Sequence, residues 1–284
     1  PQVTSVSVEI SSRVRHDPKM NRGQFLPTVK NAILVGSGKG GVGKSTVAAN
    51  LALALSKTGA KTGLVDCDVY GPSVPTMFGM EDQRIMGEGD KMFPAEKYGL
   101  QVMSVGFMTK PGQPIPMRGP MLHGIITQFL SNCQWGELDY LVMDLPPGTG
   151  DVQLTITQNL KATGAVIVTT PQDVALADVD RAIGMFQIPQ LKVPILGIVE
   201  NMSVFCCPHC GKETEIFLSG GGEKAAEKYE VPFLGKIPLE PAIPPTGDGG
   251  TPIVEKDPDG PVARHFFEVA GNLVRLLHHE PVEA

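Results

Sequence analysis

The sequence predicts an α/β fold, a mostly parallel sheet flanked by helices, and three observations predict it. Short apolar runs alternate with longer amphipathic ones along the chain. The short runs are apolar on both faces, as strands covered by helices above and below must be. The glycine-rich and acidic motifs fall just after those runs, at the carboxyl ends where such sheets collect ligands. The expected strands are 32–37, 61–68, 100–105, 140–145, 165–170, 195–200 and 233–237, with helical patterns between most of them. The last stretch, 261–279, sets Val262, Phe266, Phe267, Ala270, Leu273, Val274 and Leu277 at near-helical spacing, the pattern of a helix packing on the sheet. The segment 237–259, rich in Gly and Pro, reads as a long ordered loop or lid.

A chain of 284 residues can bury a sizeable core, and the pattern favours one large α/β domain over 31–284. Residues 1–30 read as an N-terminal arm or the remnant of an upstream domain: 3–14 alternates like a strand, 15–30 is basic and carries Pro and Gly, and Pro1 in place of Met suggests processing or trimming. The net charge of −6 and the lack of a dense Lys/Arg run point away from nucleic acid. No apolar run approaches the roughly 20 residues of a membrane span and no leader precedes the first motif, so neither membrane insertion nor secretion is expected, and a cytoplasmic location is. Five cysteines, three of them bunched at Cys206, Cys207 and Cys210, suit a reducing compartment and metal chemistry better than disulfides. Cys67 and Cys133 stand alone in apolar surroundings and read as small core residues.

Gly38-Lys39-Gly40-Gly41-Val42-Gly43-Lys44-Ser45 matches G-x-x-x-x-G-K-[ST] between an expected strand and a helical pattern, the context that confirms a phosphate-binding loop. Its glycines let backbone N–H groups face phosphates, Lys44 neutralises the β- and γ-phosphates, and the Ser45 hydroxyl is a Mg²⁺ ligand, with Thr46 opening the helix. Lys39 is poorly placed for its own nucleotide. It is either a solvated lysine at a loop tip or a cation that reaches across a two-fold axis to a nucleotide held by a second copy.

Asp144 ends the run Tyr140-Leu141-Val142-Met143-Asp144, where a carboxylate holds Mg²⁺ through water, and Pro146-Pro147-Gly148-Thr149-Gly150-Asp151 follows as a turn able to sense a γ-phosphate. Asp66 and Asp68 end another strand, with Asp66 either supporting the Mg²⁺ shell or capping the strand. Asn201, at the expected end of the 195–200 strand, is either a turn former or a side-chain amide that meets a purine edge. Cys207-Pro208-His209-Cys210 is a C-x-x-C knuckle in a loop placed at about 203–216. Two thiolates cannot complete a tetrahedral zinc site or a [4Fe–4S] cluster, which ordinarily take four ligands. Either the same pair from a second chain completes it across a two-fold axis, or His209 completes a one-chain zinc knuckle, or the pair is a redox dithiol.

Lys39 with its neighbouring glycines resembles the P-loop NTPases of the deviant Walker A (SIMIBI) type, whose signature lysine contacts ATP in the partner subunit. The resemblance narrows with Asp66-Cys67-Asp68-Val69-Tyr70-Gly71-Pro72-Ser73, Arg118-Gly119-Pro120, Asp144 to Asp151, Thr170-Pro171-Gln172-Asp173, Glu200-Asn201-Met202-Ser203 and Cys207 to Cys210. Together these are similar to the Mrp/ApbC family of iron–sulfur cluster carrier ATPases, over about 31–254. The resemblance implies a homodimer that hydrolyses ATP slowly, binds a bridging [4Fe–4S] cluster through Cys207 and Cys210, and delivers it to apoproteins. It also implies that Lys39, Lys44, Asp68 and Asp144 carry the hydrolysis, with Asp68 orienting the attacking water, and that Asn201 and the turn at Pro238 flank adenine. Cys206, Cys67 and the pair Pro244-Pro245 depart from the family's pattern. A spatial organiser like the Min and Par ATPases, with structural zinc on its thiols, and an ATP-dependent metabolic ligase are the alternatives.

Overall fold

The computed structural model describes residues 14–15, 25–69, 71–108, 119–207, 209–210 and 212–278. The expectations for 3–13, and those resting on Tyr70, Arg118, Pro208 or Gly211, lie outside the described residues. Chain order runs β1 (Val29–Gly36), α1 (Lys44–Lys57), β2 (Thr62–Asp66), α2 (Val74–Met77), β3 (Met86–Glu88), β4 (Lys91–Phe93), β5 (Ala95–Lys97), β6 (Leu100–Ser104), a 3-10 turn (Val105–Met108), α3 (Gly119–Ser131) and β7 (Leu138–Asp144). It continues through α4 (Asp151–Asn159), β8 (Gly164–Thr169), α5 (Asp173–Phe186), β9 (Ile195–Cys206), β10 (Glu213–Thr214), α6 (Gly221–Lys228), β11 (Phe233–Leu239), α7 (Ile243–Asp248), α8 (Ile253–Lys256) and α9 (Pro261–His278).

All seven expected strands are present, as β1, β2, β6, β7, β8, β9 and β11. They lie side by side in the order β10-β9-β8-β1-β7-β2-β6-β5, with β11 also on β9. Within this sheet every pairing is parallel except the short edges β5 on β6 and β10 on β9, and β3 and β4 form a separate antiparallel pair. β2 and β8 are buried along their whole length, which explains why their sequences are continuously apolar instead of alternating. α1 is buried along most of its length, and its alanines (48, 49, 52, 54) bring its axis close to the sheet. α9 buries Val262, Phe266, Ala270 and Leu273 on one stripe against the core, the closing helix that the spacing predicts.

Sheet order places the chemistry. β1 lies between β7 and β8, so the chain leaves the middle of the sheet in both directions and opens a crevice at its carboxyl edge. The register sets Val35 beside Asp144 and Asp144 beside Asp66, so three adjacent strands end together.

Four expectations need correcting. The strand expected to stop at Glu200 runs on to Cys206, because β11 and β10 continue to supply partners up to Phe205 and Cys206. Pro238 lies within β11 rather than in a turn, at the outer part of that strand. The segment 237–259 contains α7 and α8 instead of being a loop, since Pro residues at the first turn of α7 start a helix as readily as they break one. The folded unit also begins before residue 31: β1 starts at Val29, and Leu26 is buried with its N–H donating to the Leu130 carbonyl at 3.0 Å. Upstream of that, Val14 packs on the core and the Arg15 carbonyl accepts from Asn31 Nδ2 at 3.0 Å. No helix among the described residues is long and apolar enough to cross a membrane.

Candidate functional site

The loop from Ser37 to Ser45 turns away from β1 and delivers its chain into α1. Gly43 makes that turn, at φ 78° and at the N-cap position, a left-handed conformation that a side chain opposes. Gly38 has no room for a side chain because the Asp178 carbonyl of α5 lies against its Cα. The loop is braced from two further directions: Gly148 N–H donates to the Ser37 carbonyl at 3.0 Å, and Asn201 Nδ2 donates to the Val42 carbonyl at 2.9 Å.

Lys44 is buried, the only such cation among the described residues, and its ammonium is encircled by acceptors. It donates to Asp144 Oδ1 at 2.5 Å and to Ser45 Oγ at 3.2 Å, and lies 4.0 Å from Asp68 Oδ2. Asp144 is fully buried at the end of β7, and its Oδ2 has no hydrogen-bond partner. Burial raises the Asp144 pKa, and the Lys44 charge pulls it back. Asp66 is equally buried: Oδ1 accepts the Asp68 N–H at 3.0 Å, and Oδ2 accepts Ser104 Oγ at 2.9 Å and the Val74 N–H at 3.3 Å. Desolvation, reinforced by the Asp144 charge, pushes its pKa up to about 7. Of the two roles open to Asp66, the geometry shows the second in enlarged form, a bracket that holds Asp68 and the start of α2.

A cleft of about 440 Å³ opens onto these groups. Lys39, Lys44, Ser45, Thr46, Asp68 and Ser73 line its polar end, while Pro238, Leu239, Ile243, Pro244 and Ile253 line an apolar slot, with Asn201 and Met202 at its side. Lys39 is half-buried and forms no ion pair among the described residues. Thus Gly40, Gly41, Gly43, Lys39, Lys44, Ser45, Thr46, Asp68, Asn201 and Pro238 meet in one cleft. Asp144 sits behind it in contact with Lys44, and Val42 and Gly38 act through their backbones. Sequence reading missed Asn50, which bridges the Thr46 carbonyl and the Val254 N–H under the slot. It also assigned no role to Ser73, whose buried Oγ lacks a partner. An Asn inside an Ala/Leu helix was the available signal for the first.

Cys207 and Cys210 lie elsewhere, at the far end of β9. Glu213 pairs with Cys206 and Thr214 with Phe205, and Cys207 N–H donates to the Lys212 carbonyl at 3.0 Å. The expected loop is therefore the tip of a hairpin. Backbone N–H groups of His209 and Cys210 point at the Cys207 sulfur, and the Cys210 thiol hydrogen-bonds to it, which holds the Cys207 pKa below the usual thiol range. Cys210 is exposed and Cys207 half-buried. Among the described residues no three His, Cys, Asp or Glu side chains of one chain converge as metal ligands. Cys67 and Cys133 are buried core thiols, as expected.

A glycine loop on the central strand, a buried lysine within it and strand-end carboxylates beside it define a P-loop NTPase. The particular family is that of the NUBPL iron-transfer P-loop NTPases of the ParA group, which matches residues 28–274, and the chain belongs to it. An iron–sulfur cluster carrier protein of Aquifex aeolicus is 53% identical over 254 residues, 89% of this chain and 69% of that one. A mitochondrial iron–sulfur protein of Arabidopsis thaliana, required for NADH dehydrogenase, is 48% identical over 89% of this chain and 80% of its own. Among solved structures, a nucleotide-binding protein of Archaeoglobus fulgidus in complex with ADP superposes with a TM-score of 0.73 at 42% identity, covering 85% of this chain and 93% of its own. The cell-division ATPase MinD of Pyrococcus furiosus, at 24% identity and a TM-score of 0.65, shares the fold.

Proposed function

We propose that the chain is an ATP-hydrolysing carrier of iron–sulfur clusters, in which two copies hold one [4Fe–4S] cluster between their Cys207 and Cys210 pairs and hand it to apoproteins. The observation that carries this reading is the thiol pair itself, pre-formed at a hairpin tip on the strand that braces the phosphate loop. Relatives named as iron–sulfur cluster carriers support the cargo, and the ADP complex of the Archaeoglobus protein supports the nucleotide. Carriage on reduced thiols suits a reducing cytoplasm.

The cleft fits a magnesium nucleotide. Asp144 Oδ2 and Ser73 Oγ are buried acceptors without partners, and Gly40, Gly41 and Gly43 line the cleft without side chains. The Ser45 hydroxyl and, through water, Asp144 would hold Mg²⁺, which when bound neutralises charge on the β- and γ-phosphate oxygens. Backbone amides from Gly40 to Ser45 cradle the phosphates, and Lys44 exchanges Asp144 for them. Asp68, fixed by Asp66, orients the attacking water. The Asn201 amide nitrogen is committed to Val42, so its oxygen faces the base, which selects the amino group of adenine over the carbonyl of guanine. Pro238 walls the base, and Lys39 crosses to the nucleotide of the second copy, so ATP tightens the dimer.

Anaerobic reconstitution with iron and sulfide should give four irons per two chains. Cys207→Ala or Cys210→Ala should abolish this while leaving nucleotide affinity within about twofold. A cluster retained in both variants contradicts the reading, and zinc retained by single chains favours a structural knuckle instead.

A further inference from the structure

Glu200 is a buried carboxylate that the nucleotide chemistry leaves unused. It is fully buried on β9, where Oε1 accepts the Gly220 N–H at 3.1 Å and Oε2 the Gly222 N–H at 2.6 Å. These amides open α6, and the glycines are there because nothing larger fits. A Cβ on Gly222 would stand 2.9 Å from Glu200 Cβ, and one on Gly221 would stand 2.7 Å from the Pro171 carbonyl oxygen. The stretch that carries both thiols leaves β9 at Cys206, returns to it first through β10 and is pinned a second time at Glu200.

The next residue is Asn201, whose side chain points to the opposite face, as neighbours on a strand do, and holds the Val42 carbonyl of the phosphate loop at 2.9 Å. Met202 follows at φ 56°, its Cε 3.6 Å from where a Cβ on Gly43 would lie. Two adjacent residues, Asn201 and Glu200, thus clamp the phosphate loop from one face of β9 and, from the other, the start of α6 that follows the cysteine hairpin. From Asn201 to Cys207 the strand covers roughly 20 Å, so the two sites share one short, rigid element.

We propose that Glu200 is a positioning residue for the cysteine site, and that the Glu200-Asn201 pair makes nucleotide occupancy and metal occupancy alter one another's affinity within a single chain. The inference rests on the carrier reading, since it needs both sites to bind. Phosphates that draw in the loop amides shift the Val42 carbonyl, Asn201 follows, and Glu200 moves with it, changing the set of Gly220, Gly222 and the thiol loop. Linkage makes the effect reciprocal, with one factor for both ligands.

Cobalt(II) titrated anaerobically into the full chain, followed by its thiolate charge-transfer band, measures the cysteine site directly. In the wild type, a non-hydrolysable ATP analogue with Mg²⁺ should shift the cobalt midpoint by roughly fivefold or more. Cobalt loading should shift the analogue's Kd by the same factor. Glu200→Gln, which preserves shape but turns a donor toward one glycine amide, should keep both separate affinities within about threefold and cut the shift several-fold, to what dimer tightening through Lys39 alone leaves. Gly222→Ala attacks the same contact from the other side and should do likewise. Variants that weaken both affinities yet keep the wild-type shift would mark a purely structural role and overturn the proposal. So would a wild type that binds both ligands with no shift. A wild type with no thiolate band would sink the carrier reading, and this inference with it, whereas a band without a shift sinks the inference alone.

Discussion

The phosphate loop and the cysteine hairpin are both short turns at the ends of strands, yet they are built in opposite ways. At the loop, Lys44 and Asp144 are buried, Gly38 and Gly43 admit no side chain, and neighbouring elements brace the backbone through Gly148 and Asn201. At the hairpin, Cys210 is exposed, and Ile216 and Leu218 just after β10 are 51% and 58% exposed. On the proposed function, the contrast follows from what each must do. Stabilising charge on phosphoryl oxygens needs pre-oriented donors in a site that need not reorganise, whereas thiolates that load and surrender a cluster must stay within reach of other proteins.

The contrast breaks most visibly at Lys44. Lys44→Ala should lower ATP hydrolysis by about 10²–10³-fold and leave thiolate metal binding in place, measured by phosphate release and by the cobalt band. Loss of metal binding as well would mean that the two regions are not separate sites. Next in size, Gly43→Ala places a side chain at φ 78° against Asn201 and should cost about 1–2 kcal/mol or more of stability, read from urea denaturation.

A third test uses pH. The folded pKa of Asp66, about 7, lies above its ordinary 3.8. Between those values the unfolded chain has lost the proton and the folded chain keeps it, so this group's contribution to stability falls as pH rises from about 4 to 7 and then levels. Its slope is at most about 1.4 kcal/mol per pH unit. Asp66→Asn removes that slope, so the stability difference between variant and wild type in nucleotide-free protein should move in the variant's favour from pH 5 to pH 7. A difference independent of pH would show that Asp66 is ionised throughout. Smallest is Leu218→Gly: Leu218 sits at φ 71°, and relieving it should raise stability by at most about 1 kcal/mol, in contrast to the loss at Gly43.

Much of this was legible in the sequence, for physical reasons. Strands buried on both faces announce themselves as continuous apolar runs, so β1, β2, β7 and β8 were plain, and a glycine loop after such a run fixes the place of Lys44 and Ser45. What escaped depends on partners distant in sequence. The extension of β9 past Glu200 is supported by β10 and β11, and Met202 at φ 56° gives no local sign of a strand. The bracket at Asp66 needs Ser104, and the brace at Asn201 needs Val42, contacts spanning 38 and 159 residues. The short β3-β4 hairpin and the edge strand β5 carry too little apolar sequence to register. At the cysteines, the ligand types were readable but the hairpin was not, because its pairing is set by the return strand.

Native mass spectrometry of the anaerobically reconstituted protein reads out whether two thiols from each of two chains surround one cluster. The expected species is two chains plus four irons and four sulfides, absent in Cys210→Ala. Metal carried by single chains, or a two-chain species with the same metal content in that variant, would contradict it.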